Sequence, residues 1–201
     1  MKTTSLAFLL LAMSWLFSSS CNQLSKKHNE TNAPDTVAGP VITDSADNLT
    51  AMDLHEKLMT SFSEDWVERE SDPDLYPDYY GGSFIDNNGT FVITVTGDRE
   101  QNSQRLIAIL GTDNFNVETV QYSYKQMMQV MDRIDAFLIN TSIPDDHPVM
   151  AHFAGAYPDV MDNRVKVILT VVRKEITDAF QRDISNSPMV VFEQGEMPQM
   201  F

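Results

Sequence analysis

One pattern of glycine, aromatic, Asp, turn and alternating apolar residues occurs twice in this chain. Residues 79–98 read "YYGGSFIDNNGTFVITVTGD" and residues 153–172 read "FAGAYPDVMDNRVKVILTVV". Each is a β-hairpin signature, with side chains of period two flanking residues that tolerate the tight turn. In the first copy Asn87, Asn88 and Gly89 form the turn. Phe91, Ile93 and Val95 then alternate with Thr90, Thr94 and Thr96, Val92 breaking the pattern, which predicts one buried and one largely wet face. In the second copy Val165, Val167, Leu169 and Val171 alternate in the same way. Gly82 and Gly155 are 73 positions apart and Thr94 and Thr170 are 76 apart, so the second turn is expected to be three residues longer.

Helices punctuate the hairpins. Leu54, Leu58, Met59 and Phe62 predict a helix over about 50–64, ended by the proline- and Asp-rich stretch "SDPDLYPDYYGG". Asp98 is placed to cap a helix that stops at Gly111, carrying Leu106, Ile109 and Leu110 on one face, and "NFNVETVQY" reads as the next strand. Ser123 and Gln126 have capping-box spacing and open a helix over about 124–139. Its stripe of Tyr124, Met127, Met128, Met131, Ile134 and Leu138 reads as core packing rather than a Met-lined binding groove. After the loop "INTSIPDDHP" and the second hairpin come a helix at about 173–184, with Ile176, Ala179, Phe180 and Ile184, and a strand "PMVVFEQ". The fold class is therefore α+β: two related strand-strand-helix-strand repeats, about 79–122 and 152–194, joined by a long helix. Both halves are expected to share a common interior within one domain over 49–201.

The N-terminus points to a compartment. Lys2 precedes an almost wholly apolar run, Leu6 to Phe17, too short to span a bilayer and suited to a secretory leader. Ser18, Ser19 and Ser20 lead into Cys21, the only cysteine, which excludes an internal disulfide. This resembles the lipobox of bacterial lipoproteins, in relaxed forms familiar from the Bacteroidetes, although the third position upstream is serine where leucine is commonest. The resemblance implies a signal peptide at 1–20, removed at Cys21, which then carries the lipid. Acyl methylenes, worth ~0.8 kcal/mol each on burial, would hold the protein to a membrane. Residues 21–48 are polar and turn-rich and read as a flexible tether. Within it, Asp35-Thr36-Val37 and Asp44-Ser45-Ala46 resemble the acceptor pattern of Bacteroidetes O-glycosylation, marking Thr36 and Ser45. The stretch after Cys21 lacks the acidic run common in surface-exported lipoproteins, which points to an outer membrane location facing the periplasm. The formal net charge of −15 opposes nucleic acid and anionic headgroups as partners.

The order of these motifs resembles the prodomains of secreted bacterial serine proteases of the α-lytic protease and streptogrisin type. It rests on "YYGGSFIDNNGTFVITVTGD", "VQYSYKQMMQVMDRIDAFL" and "AGAYPDVMDNRVKVILTV" in that order, over about 50–195. In that family the prodomain binds, helps to fold and inhibits its own protease, with its C-terminal tail in the active-site cleft. No protease domain follows Phe201 in these 201 residues, so a covalently supplied foldase role is not expected here. A tail that binds a partner in trans is the role carried over, with Met197, Met200 and Phe201 of "EQGEMPQMF" as its apolar groups.

Catalytic signatures are not found. A hydrolase triad needs a base, and the candidates are His28 in the tether, His55, His147 and His152, the last reading as a structural histidine at a strand start. There is no G-x-S-x-G elbow, P-loop or dinucleotide fingerprint. Asp145, Asp146 and His147 offer metal-ligand chemistry, but three consecutive residues seldom converge on one ion. Asp72, Asp74 and Asp78 sit among prolines as turn formers. The expectation is no catalytic residue, metal or cofactor: a membrane-anchored envelope lipoprotein that binds a protein, a protease among the candidates. The alternative is a structural or assembly lipoprotein with no protease-related role.

Overall fold

The computed structural model describes residues 49–197. Cys21, Thr36, Ser45, Met200 and Phe201 lie outside the described residues. The elements run α1 (Ala51–Phe62), α2 (Trp66–Ser71), a 3-10 turn (Pro73–Leu75), β1 (Tyr80–Ile85), β2 (Phe91–Val95), α3 (Arg99–Leu110), β3 (Asn116–Thr119), α4 (Tyr124–Leu138), β4 (Phe153–Asp159), β5 (Arg164–Leu169), α5 (Lys174–Asp183) and β6 (Val190–Gln194). They build two three-stranded sheets, in the orders β1-β2-β3 and β4-β5-β6. In each, an antiparallel hairpin is followed by a helical crossover to a parallel third strand. The α+β class and the pair of related strand-strand-helix-strand units are as the sequence predicts.

The duplication extends to backbone irregularities. Both hairpins carry a register shift at the same place, between Tyr80 and Gly82 and between Phe153 and Gly155. The amide of Thr96 donates to Tyr79 O at 2.8 Å, and the amide of Thr170 donates to His152 O at 2.8 Å. Thr170 is therefore the counterpart of Thr96, not of Thr94. Gly82 faces Thr94 across the ladder while Gly155 faces Ile168, so the paired residues are 12 apart in one copy and 13 in the other. The second turn is longer by one residue, not three. Aligning threonine with threonine followed residue type where register decides.

The helix ends follow the cap chemistry. Asp98 accepts from the amide of Gln101, and Gly111 closes α3 in the left-handed conformation at φ 72°, which a side chain would resist. Ser123 and Gln126 form the expected reciprocal box. Thr50 and Asp53 form another at the start of α1, 73 residues earlier. α4 joins the two copies in chain order and also plays for the second the part that α1 plays for the first. Its buried positions are Met127, Val130, Ile134 and Phe137, with Met131 and Leu138 at the margin, so the stripe is rotated from the expected one towards Val130 and Phe137. Between α1 and the proline- and Asp-rich stretch, where the sequence predicts no element, lies the short helix α2, capped by Asp65.

The expected common interior is instead two cores. One gathers Leu54, Leu58 and Met59 of α1, Phe91, Ile93 and Val95 of β2, Leu106 and Leu110 of α3, and Tyr80. The other gathers the α4 stripe with Val165, Val167 and Leu169 of β5 and Ile176, Ala179 and Phe180 of α5. Tyr124 packs against both. The reason is geometric: each sheet is covered on one face by its own pair of helices, so each copy closes its own apolar layer.

The outer face of the first sheet is not wet, which corrects the alternation argument. All five residues of β2 are buried, Val92 and Thr94 included. The turn of the second hairpin lies over this face: Val160 sits so close to Gly82 that a Cβ there would come within 2.5 Å of Val160 Cγ1. Asn163, held at φ 52°, anchors the same turn. Its Oδ1 accepts from the amides of Gln121 (3.0 Å) and Tyr122 (2.8 Å), and its Nδ2 donates to Tyr122 O (2.8 Å).

Candidate functional site

Three places on the molecule gather chemistry. The first is the outer face of the second sheet with the strand that leads to the C-terminus. On β5 the inward residues Val165, Val167 and Leu169 alternate with the outward, half-buried Arg164, Lys166 and Ile168. Lys166 Nζ lies 2.8 Å from Asp159, 2.7 Å from Asp162 and 3.4 Å from Glu193, a charge network spanning all three strands. Hydrogen bonds to Asp159 and Asp162 push its ammonium well above the usual lysine range. Burial opposes ionisation of Asp159, yet the Lys166 hydrogen bond and the amides of Asp162 and Met161 hold its carboxyl below the usual range. Tyr157 and Val191 are exposed on this face. β6 is a sheet edge, and the last ladder contact is the Gly195 amide donating to Leu169 O at 3.0 Å. Beyond it Met197 is about half exposed, at 48 %. Met197 thus stands at the open end of an edge strand, the kind of backbone that can accept a further strand.

The second place is a groove of about 830 Å³ between the C-terminal halves of α4 and α5, lined by Arg133, Phe137, Ile143, His147, Arg182 and Asp183. His147 Nδ1 accepts from the amide of Val149 at 3.2 Å, so Nε2 carries the proton and donates to Asp183 at 3.1 Å. With both nitrogens engaged, this imidazole has no free lone pair for a general base. The Arg182 guanidinium first, and His147 second, hold the Asp183 carboxyl below the usual range. Asp145 and Asp146 are exposed while His147 turns away to Asp183. Among the described residues no three His, Cys, Asp or Glu side chains converge as a metal site. Asp72 caps the 3-10 turn, while Asp74 and Asp78 pair with Lys125 at 3.3 and 3.2 Å. His152 Nδ1 lies 3.0 Å from Thr170 Oγ1, tying the two ends of the second hairpin.

The third place is a cavity of about 220 Å³ where the two halves meet, lined by His55, Met59, Arg69, Glu70, Tyr76, Tyr80, Ser83, Tyr124 and Val160. Tyr76 and Tyr124 pack with centroids 4.7 Å apart, and Tyr80 lies 5.9 Å from each. Tyr80 Oη is 2.9 Å from Ser83 Oγ, which is 3.3 Å from His55 Nδ1. Burial raises the phenols: Tyr80 lies far above the ordinary value and Tyr124 is pushed up to about 12. Burial first, and the Arg69 charge second, lower His55. Arg69 Nη1 donates to Met59 O (3.1 Å) and Ser63 O (2.6 Å), satisfying carbonyls at the end of α1. Arg69 Nε is buried without a partner among the described residues.

Sequence reasoning missed this cavity altogether. The Ser83–His55 contact joins residues 28 apart in the chain. It is not a triad: Ser83 Oγ is shared with Tyr80, and among the described residues no carboxylate is hydrogen-bonded to His55. Local signals existed in the Tyr-rich run 76–80 and in Arg69 placed just beyond a helix end, but neither names its partner.

No curated protein matches the chain. Two family models do. Residues 41–120 match a Pro-like N-terminal domain, which ends with β3, and residues 125–195 match a Pro-like C-terminal domain, which begins in α4. The boundary agrees with α4 packing as the opening helix of the second copy. What this chain is similar to, over most of its length, is therefore a Pro-like N-terminal domain followed by a Pro-like C-terminal domain.

Proposed function

We propose that this chain is a non-catalytic protein-binding module of the bacterial cell envelope, held to the membrane by lipid on Cys21, facing the periplasm, and directed at a protease or another envelope protein. The observation that carries the reading is the open outer face and edge of the second sheet, leading to the exposed Met197, on a chain similar to tandem Pro-like domains. A partner would add to the β6 edge through main-chain hydrogen bonds and take the apolar groups Met197, Met200 and Phe201 of the tail into a cleft. Fold likeness alone does not assign a partner. The engaged histidines His147 and His152 support a non-catalytic reading.

The test compares the chain with a variant lacking residues 195–201 as inhibitors of chymotrypsin-like proteases. Inhibition by the intact form that falls at least about tenfold on deletion, a change of ~1.4 kcal/mol in binding, supports the protease reading. No inhibition by the intact form removes it, and a stoichiometric envelope complex recovered from a membrane fraction would then favour the assembly role. Mass spectrometry of the N-terminal peptide tests the anchor separately; an unacylated Cys21 thiol would refute it.

A further inference from the structure

The cavity between the two halves has a polar pattern that protein binding at the second sheet does not use. Arg69 and Glu70 both line it, and neither belongs to a salt bridge among the described residues. Arg69 is fixed by its two bonds to the end of α1, so its guanidinium is pre-positioned rather than free to swing out. The Tyr76 and Tyr124 hydroxyls, raised by burial, remain protonated donors throughout the neutral range. Met59 and Val160 supply apolar wall, and Val160 comes from the other half. The rings of Tyr76, Tyr80 and Tyr124 contact one another, so they form a packed wall rather than an open cage for a quaternary ammonium.

Size and charge then narrow the ligand. At about 220 Å³ the space is smaller than the roughly 300–1,000 Å³ typical of drug-sized ligands. A simple anion would meet Glu70, and a simple cation would meet Arg69. A ligand bearing both signs a few atoms apart satisfies both. We propose that the junction cavity binds a free α-amino acid with an apolar side chain, its carboxylate on Arg69, its ammonium on Glu70 and its side chain against Met59 and Val160. Such a ligand touches both halves and fastens them together. The groove adjoining the cavity shares His55, Met59 and Arg69 with it and contains the exposed Trp66, which gives the site an optical reporter.

The experiment titrates the detergent-solubilised full chain with L-leucine, L-methionine and L-phenylalanine, reading tryptophan fluorescence and melting temperature. N-acetyl-L-leucine, which lacks the ammonium, and L-leucinamide, which lacks the carboxylate, are run beside them. The expected result is a saturable rise in melting temperature with at least one amino acid and at least about tenfold weaker binding of both blocked analogues. Glu70→Gln, an exposed change that leaves the fold intact, should weaken the amino acid by about tenfold, and Tyr124→Phe should weaken it less. No saturable response to any of the three amino acids overturns the proposal. So does equal binding of the blocked analogues, or affinity unchanged in Glu70→Gln.

Discussion

Replacing Gly82 with alanine tests how the two halves are joined. The position has φ +130°, and a Cβ built there lies 2.5 Å from Val160 Cγ1 and 2.7 Å from its Cβ. Two costs add. The backbone conformation resists a side chain by about 1–3 kcal/mol, and forcing a methyl into filled space costs about 1–3 kcal/mol more. The expected loss is roughly 2–6 kcal/mol, or about 4–24 °C in melting temperature at ~2–4 °C per kcal/mol for a chain of this size. Urea unfolding followed by far-UV circular dichroism measures it. Gly155 is the internal control, because it is the counterpart of Gly82 in the second copy and nothing lies within 4 Å of a Cβ built there. Gly155→Ala should stay within about 0.5 kcal/mol of the parent. Truncating Val160 to alanine removes the Cγ1 clash but leaves its Cβ and the backbone cost, so the rescue is partial and the double-mutant cycle should show a coupling of about 1 kcal/mol. If Gly82→Ala and Gly155→Ala cost the same, or if Val160→Ala rescues nothing, the hairpin turn does not rest on the first sheet as described.

The other predictions concern the same junction. Asn163→Ala removes three hydrogen bonds to the Gln121–Tyr122 backbone and should destabilise by about 2–4 kcal/mol in urea titrations; Asn163→Gly, which relieves φ but restores no bond, should recover less than half. His55 has a folded pKa below its ordinary 6.5, so its neutral form favours folding: that contribution is complete above pH 6.5 and declines as pH falls below it. His55→Gln should flatten the stability profile between pH 7 and 5 relative to the parent, as read by melting temperature. At the alkaline end the sign reverses. The phenols of Tyr76, Tyr79, Tyr80 and Tyr124 are all raised, so the stability they contribute is complete below pH 10 and is lost as pH climbs further. Absorbance at 295 nm should therefore show the Tyr80 and Tyr124 phenols un-ionised at pH 10.5 until unfolding, and Tyr124→Phe should remove one of these two protected signals.

Cap and turn chemistry made the elements legible, because it is local. Asp98, Gly111 and the Ser123–Gln126 box act within four residues of themselves, and the hairpin turns act within five. What was not legible is non-local. The alternation of Phe91, Ile93 and Val95 with threonines reports which residues share a face, but not that Val160, nearly seventy residues on, will cover the other face. The α4 stripe was misplaced because Met128 and Leu138 are as apolar as Val130 and Phe137, and only packing against β5 and α5 decides between them. The cavity lay beyond reach for the same reason: Ser83, His55, Arg69 and Tyr124 come from four different elements or their flanks and carry no shared motif.

The comparison of equivalent positions explains why the outer face of the second sheet, rather than that of the first, is open, and so why the proposed partner is directed there. Register places Phe84 opposite Val92 in one copy and Tyr157 opposite Lys166 in the other. Val92 is buried, whereas Lys166 stands among three carboxylates on an open face. The two sheets have equivalent outer faces, and the hairpin turn at Val160 and Asn163 covers the first of them. A buried lysine at Val92 would leave an unpaired charge, and a valine at Lys166 would strand Asp159, Asp162 and Glu193 without their cation. The two copies therefore differ where their surroundings differ and share the register shift and strand-end hydrogen bonds where those are the same. One outer face is covered from within the chain, and the other, with the β6 edge beside it, is left open among the described residues.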